Sequence, residues 1–397
     1  MTMSSISSAS FAHQAPHFAR VSRTHAEPRV SEEDRQRWQA VPWNPEQRHP
    51  VLLEACPDGT MRLGDVRWGF QESPDPSAWK PVYTEAVVDP RKVKDVWLAV
   101  EPFAPKIVAG HSLVLFEFEQ DSPVRNSQGE TDPALVVSAE ALRPPGTSYD
   151  LLKGMGKNFG VVYQVGTLAD QLQKVSRQQG HDLLLHRLAL SPEQKESLLR
   201  NALDQSTRDR TGEWYHTLLN SCFTAQVELL NSVVPEEQKI RRFTTLGRFL
   251  RPEACLPNST GALLARKDLL DGRVVVVRPD QKLHPTAARG QSDLQKAVAR
   301  ATRSPLWDPG MRVGGLLAGA WAGSAVAGLP GLVAGALTGQ FLGGLAGDVV
   351  RLQTDVVEIP VETLYQFTPS LGTASAPREA EPAFSPSLEP GFAAARP

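Results

Sequence analysis

Tyr215-His216-Thr217-Leu218-Leu219-Asn220-Ser221-Cys222-Phe223-Thr224 runs directly into an apolar pattern at Val227, Leu229 and Leu230. A turn carrying Asn and Ser, then a cysteine, then a helical run predicts a thiol at the amino terminus of a helix. Unpaired N–H groups and the positive end of the helix dipole both stabilise a thiolate there, and the thiolate is the nucleophilic form. Such a thiol needs a neutral imidazole to accept its proton. His111 heads an upstream run of strand character, His111-Ser112-Leu113-Val114-Leu115-Phe116-Glu117-Phe118. Together the two positions point to covalent acyl chemistry, with the Cys222 backbone N–H expected as one oxyanion donor.

Working outward, Arg62 to Phe70, Pro81 to Val88 and Val93 to Glu101 read as strands, followed by Gly110 to Glu119 and Ala134 to Glu140. Helices take over next. Leu168, Leu172 and Val175 mark one over Thr167 to Ser176. Ser191-Pro192-Glu193-Gln194 opens another with Ser as cap, Pro at the first position and Gln at the third. The Cys222 helix is expected to reach about Val233, and a strand returns over Gly272 to Val277. Strands then helices, without strict alternation, predict an α+β fold with a sheet packed by helices.

Composition narrows the function. Lys+Arg 42 against Asp+Glu 44 gives a formal net charge of -2, which makes no electrostatic case for nucleic acid. Arg241-Arg242 and the helically spaced Lys296, Arg300 and Arg303 read as solvated faces. Cys56, Cys222 and Cys255 are an odd number at spacings matching no common zinc pattern. His181, His186 and His216 have no carboxylate or cysteine at ligand spacing, so no metal and no cofactor is expected. The start of the chain lacks a basic stretch followed by a sustained apolar one, so no Sec signal is read; any export would use another route.

A second feature lies beyond the strands. From Val313 to Gly347 there is no charged residue, and glycine recurs every fourth position: Gly315, Gly319, Gly323, then Gly331, Gly335, Gly339, Gly343. On a helix this spacing stacks glycines along one face and lets a second helix approach backbone to backbone. Leu329-Pro330-Gly331 interrupts the series, predicting two arms joined by a turn. A membrane-inserting hairpin, an oligomerisation hairpin and a tightly packed soluble pair compete, and glycine's cost of ~1 kcal/mol against Ala favours the bilayer. Trp321 and Phe341 would give each arm an aromatic anchor.

The stretch from about Asp89 to Leu230 resembles the amino-terminal domain of the Lnb family, bacterial lipoprotein N-acyltransferases and their relatives. The resemblance rests on Gly110 to Phe118, on Val137-Ser138-Ala139-Glu140-Ala141, on the Leu188-Ala189-Leu190-Ser191 region and on Tyr215 through Leu230. It implies a circularly permuted papain-like (NlpC-like) fold in which a strand histidine precedes a cysteine at a helix start. Cys222 would then be the nucleophile and His111 its base. Relatives commonly carry a second Asn and a Thr around the cysteine where this chain has Ser221 and Phe223, which implies altered substrate contacts.

The expected organisation is a disordered leader (1–36), a papain-like Lnb-type catalytic domain (37–285), and a helical segment (286–350) holding the glycine hairpin (313–347). A short ordered extension (351–365) and a disordered Pro/Ala/Ser-rich tail (366–397) follow. The expected activity is a cysteine-dependent acyl hydrolase or acyltransferase acting on membrane lipid or another acylated substrate. It would be membrane-associated through 313–347, with self-association through the glycines as a further option. An NlpC-type cell-wall peptidase or amidase and a non-catalytic membrane-inserting protein are the alternatives. Glu140 enters as a strand carboxylate that could hold the imidazole tautomer, beside its plainer reading as a surface acid. Asn220 and Ser221 are substrate or oxyanion candidates, although for Asn220 capping the helix is the plainer reading. Glu117 shares the strand face of His111 but lies too far along it, and Tyr163 and Tyr215 are expected to pack.

Overall fold

Alternation along one central strand explains how the molecule is layered. The computed structural model describes residues 30–75, 78–103, 109–241, 256–272, 274–279, 307–354 and 356–360. Most of the leader, all of the tail, Cys255, Arg242 and the Lys296–Arg303 cluster lie outside the described residues. The elements in chain order are α1 (Glu32–Gln39), β1 (Val51–Ala55), β2 (Met61–Gln71), β3 (Lys80–Val88), β4 (Val93–Pro102) and β5 (Gly110–Phe118). Next come β6 (Val124–Asn126), β7 (Thr131–Asp132), β8 (Ala134–Leu142), β9 (Gly160–Thr167), α2 (Leu168–Leu172) and β10 (Leu183–Arg187). The remainder are α3 (Pro192–Ser206), α4 (Cys222–Asn231), α5 (Thr260–Ala265), β11 (Val274–Arg278), α6 (Trp307–Thr354) and β12 (Val356–Pro360).

The strands form one sheet in the order β12-β11-β10-β4-β5-β8-β9-β2-β3-β6-β7, with β1 also on β2. Neighbours are antiparallel except β11 with β12 and β2 with β9. The fold is thus the expected α+β type, a mostly antiparallel sheet packed by helices. Side chains of β5 alternate between two cores. Val114, Phe116 and Phe118 share one core with Leu199 and Leu203 of α3 and Phe223 and Val227 of α4. Leu113 and Leu115 share the other with Leu168 and Leu172 of α2 and with Val175.

Capping chemistry sets where the helices begin. Ser191 and Gln194 form the predicted reciprocal box at α3, with Gln194 N–H donating to Ser191 Oγ at 3.3 Å and Ser191 N–H to Gln194 Oε1 at 2.8 Å. The helix predicted over Thr167–Ser176 starts as expected, capped by Thr167, but passes into a π turn over Gln173–Gln178. The leader boundary is corrected: α1 begins at Glu32, because Ser31 caps it by accepting from Asp34 N–H at 3.1 Å.

In α6 the helical path breaks at Ala327 (φ -140°, ψ 25°) and Gly328 (φ 61°, ψ -139°), just before the predicted Leu329-Pro330-Gly331. The positive φ favours glycine at 328, and Pro330 sits two residues after the break, where a missing N–H costs little. Glycines of the two halves face each other. A Cβ added to Gly319 would run into the Gly335 carbonyl and lie 2.8 Å from Gly339 Cα. Gly315 stands in the same relation to Gly339, and Gly323 to Gly331. The larger side chains Val313, Leu317, Trp321, Val326 and Leu337 are exposed. No helix among the described residues is long and apolar enough to cross a membrane, so a bilayer-spanning reading of 313–347 is not met.

Candidate active site

Cross-strand register brings the site together. Glu101 of β4 pairs opposite His111 of β5. The β5–β8 register, with Val114 opposite Val137, continued toward the start of β5, sets His111 level with Glu140. Residues level with one another across a sheet point to the same side, so Glu101, His111 and Glu140 form one row on the α2 side. The α4 helix packs on the other side, and its first residue, Cys222, reaches His111 and the Ser112 backbone N–H at the beginning of β5.

Hydrogen-bond bookkeeping assigns the histidine. Ser138 Oγ donates to Glu140 Oε1 at 2.9 Å, so its one proton is committed there. The contact of 2.9 Å between His111 Nε2 and Ser138 Oγ then requires Nε2–H as donor. Nε2 also lies 3.2 Å from Glu140 Oε1. Nδ1 is left as the nitrogen available to the thiol. Lys174 Nζ donates to the same Glu140 oxygen at 3.0 Å, while buried Arg67 and Asp170 form an ion pair at 2.7 Å behind it.

The charges follow from these neighbours. Burial opposes a charged imidazole, but Glu140 and then Cys222 overcome it and raise His111 to about 10. Burial likewise opposes ionisation of Glu140, yet His111 and Lys174 hold it well below the usual carboxylate range. Burial pushes the Cys222 thiol up, and His111, the Ser112 N–H and Tyr215 together bring it below its ordinary value. The arrangement favours a thiolate–imidazolium pair.

Cys222 is 3 % exposed and lines a cavity of about 450 Å³. His111, Glu140 and Lys174 line it, as do Glu101 and His181. Leu151, Leu152, Met155, Leu218 and Leu256 give it an apolar wall, and Leu152 stands 80 % exposed.

Several expectations change here. Ser221, not Asn220, caps α4: Thr224 N–H donates to Ser221 Oγ at 3.4 Å, and Ser221 N–H to Thr224 Oγ1 at 2.7 Å. Ser221 holds the cap because α4 begins at Cys222, the next residue, while the Asn220 side chain is turned away to donate its amide to the Trp214 carbonyl at 3.0 Å, and Asn220 does not line the cavity. Ser221 does line it. The Cys222 N–H, expected as an oxyanion donor, donates to Tyr215 Oη at 3.4 Å. Tyr215 packs in the core as expected but also holds its hydroxyl 3.7 Å from Cys222 Sγ. Tyr163 packs under the Arg210 guanidinium. Glu117 binds Lys94 and Trp97 rather than His111.

The histidines first tested for metal are occupied otherwise. Burial lowers His186 to about 4 while its Nδ1 meets the Leu98 carbonyl, and His216 Nδ1 accepts from Leu218 N–H. His181 Nδ1 lies 2.6 Å from Glu101 Oε1. Among the described residues no cluster suited to a metal ion is found. Ser138, Lys174 and Glu101 were missed as site residues. Only Ser138 carried a signal, since it lies two residues from Glu140 on the same strand face.

Residues 80–251 match the family model described as the Lnb N-terminal periplasmic domain. No curated protein matches the chain, and no solved structure does.

Proposed function

We propose that this Lnb-type domain is a cysteine acyl hydrolase or acyltransferase that works through a thioester on Cys222. The observation that carries this reading is the single cross-strand row, His111 with Glu140, delivered to a buried thiol at a capped helix start. In the proposed cycle the Cys222 thiolate attacks an acyl carbonyl while His111, held by Ser138 and Glu140, keeps its proton. His111 Nδ1–H then protonates the departing group, leaving the acyl chain on sulfur. The Tyr215 hydroxyl and the Cys222 N–H, which already meet each other, are placed to turn toward the developing oxyanion. Burial raises the Tyr215 phenol well above its ordinary value, with the thiolate adding to the effect, so the hydroxyl keeps a proton to donate.

The apolar wall at Leu151, Leu152, Leu218 and Leu256 suits an acyl chain, and the charged floor suits the ester or amide it is attached to. We assign the protein to the cell envelope, in keeping with the periplasmic description of the matching domain. The exposed apolar outer face of α6 is assigned to a lipid surface. Its glycine faces are engaged within one chain, so self-association would use the outer side chains instead.

The test is intact-protein mass spectrometry after incubation with mixed phospholipid vesicles, comparing the native chain with Cys222→Ala. A fatty-acyl increment on the native chain alone, removed by neutral hydroxylamine, is expected. No adduct and no released fatty acid, with vesicle binding shown, would overturn the lipid-substrate reading.

A further inference from the structure

The row that holds His111 does not end there. Glu101, directly across from His111, is 3 % exposed, an unusual place for a carboxylate. Its partner is His181, just before β10, with Nδ1 at 2.6 Å from Glu101 Oε1. A carboxylate can only accept, so Nδ1 carries the proton and Nε2 is the nitrogen left to exchange one with an acceptor. Both residues line the cavity of Cys222, and the His181 side chain is 32 % exposed. Two histidine–carboxylate pairs therefore share one cavity. The β4–β5 pairing puts their strand members about 5 Å apart at Cβ, and the sheet order β10-β4-β5-β8 places the second pair on the side away from Glu140.

We propose that His181, oriented by Glu101, is a second general base, which activates the protic acceptor that resolves the Cys222 thioester. The inference rests on the thioester reading above and deepens it. In the resolving step an acceptor O–H or N–H gives its proton to His181 Nε2 as its oxygen or nitrogen bonds to the acyl carbon. The carbon–sulfur bond breaks, and the electron pair returns to Cys222 as thiolate. His181 then gives its proton to water in the cavity, and neutral His111 takes one back at Nδ1, which restores the thiolate–imidazolium pair for the next turnover. The two half-reactions are divided between two imidazoles, each fixed by its own carboxylate, with the acceptor entering from the β4–β10 side.

The two halves separate with a p-nitrophenyl fatty ester, where the p-nitrophenol burst reads acylation and intact mass reads the acyl-enzyme. In His181→Ala the burst is expected within about twofold of native, while steady turnover falls by about 10²-fold and acyl-Cys222 accumulates. Added imidazole should restore turnover. Glu101→Gln, which keeps the shape of the site, should show the same split more weakly, and it decides the matter should His181→Ala not fold. Arms in water alone, with glycerol and with ethanolamine identify which acceptor gains most from His181. Burst and turnover falling together without imidazole rescue, or neither changing, overturns the second base and leaves the thioester standing. No adduct on the native chain overturns both.

Discussion

Replacing Glu140 by Gln removes one charge from a closed group of four. Glu140 Oε1 lies 3.2 Å from His111 Nε2 and 3.0 Å from Lys174 Nζ. At an effective dielectric of about 20, opposite charges at 3.2 Å attract by roughly 5 kcal/mol. The rise of His111 from 6.5 to about 10 corresponds to a similar figure, roughly 5 kcal/mol at 1.36 kcal/mol per unit. In Glu140→Gln the carboxylate is gone and Lys174 remains, so the imidazolium faces a like charge in place of a neutral pair. His111 should fall, and the Cys222 thiol, losing its counterion, should rise. The sign fixes the window. A histidine raised to about 10 keeps the ion pair up to that pH in the native protein, so loss shows first at neutral and mildly alkaline pH. Alkylation by iodoacetamide, followed at the Cys222 peptide by mass spectrometry across pH, reads the thiolate directly and needs no substrate. The pH at which the rate reaches half its plateau should move upward, with the rate at the low-pH end of the profile falling by about tenfold. A folded Glu140→Gln chain whose Cys222 profile matches the native one would refute the ion-pair account.

Other consequences are open to measurement. Tyr215→Phe should slow the acylation burst by about 10²-fold, the usual cost of one oxyanion donor, with an unchanged rate placing the tyrosine in packing alone. Asp132 accepts from Ala134, Leu168 and Ala169 N–H groups, and burial still raises it to about 6. The folded state therefore binds its proton more tightly, and its contribution falls as pH rises from 3.8 through about 6. Asp132→Asn should remove about 3 kcal/mol of that decline in urea midpoints between acidic and neutral pH. Asp132→Ala, leaving three donors unpaired, should destabilise by about 3 kcal/mol. In α6, Gly314 has open space at its Cβ while Gly319 has none. Gly314→Ala should slow hydrogen exchange by up to about 1 kcal/mol of added helix stability, whereas Gly319→Ala should speed it.

The parts legible in the sequence are those written locally. Period-two alternation exposed β2 to β5 and β8, and the Ser191 box exposed α3. The thiol at the start of α4 was legible because Asn-Ser-Cys before an apolar run is a short-range signal. Less visible were β9, buried at every position, and β10, three leucines followed by His186 and Arg187, since neither shows an alternating pattern. The capping residue was misassigned by one position because Asn220 and Ser221 have near-equal propensity, and the start of α4 at Cys222 decided between them. Lys174 could not have been found: it sits in a π turn whose extra residue per turn re-aims its side chain relative to an α-helical continuation. The pairing of Glu101 with His181 spans 80 residues and exists only through sheet register.

That dependence on register has a bearing on when the protein can react at all. Alternate faces of β5 serve opposite cores, so a one-residue slip would turn His111 away from Glu140 and bury it among α3 and α4. The thiol's activation draws first on His111 and the Ser112 N–H at the start of β5, contacts that exist only once the sheet is formed, and Cys222 in an unfolded chain is an ordinary thiol. Under the proposed thioester chemistry, a chain whose sheet has not yet formed is thus chemically quiet. Reactivity appears as a late property of correct closure, and a misregistered molecule would be inert rather than wrongly active.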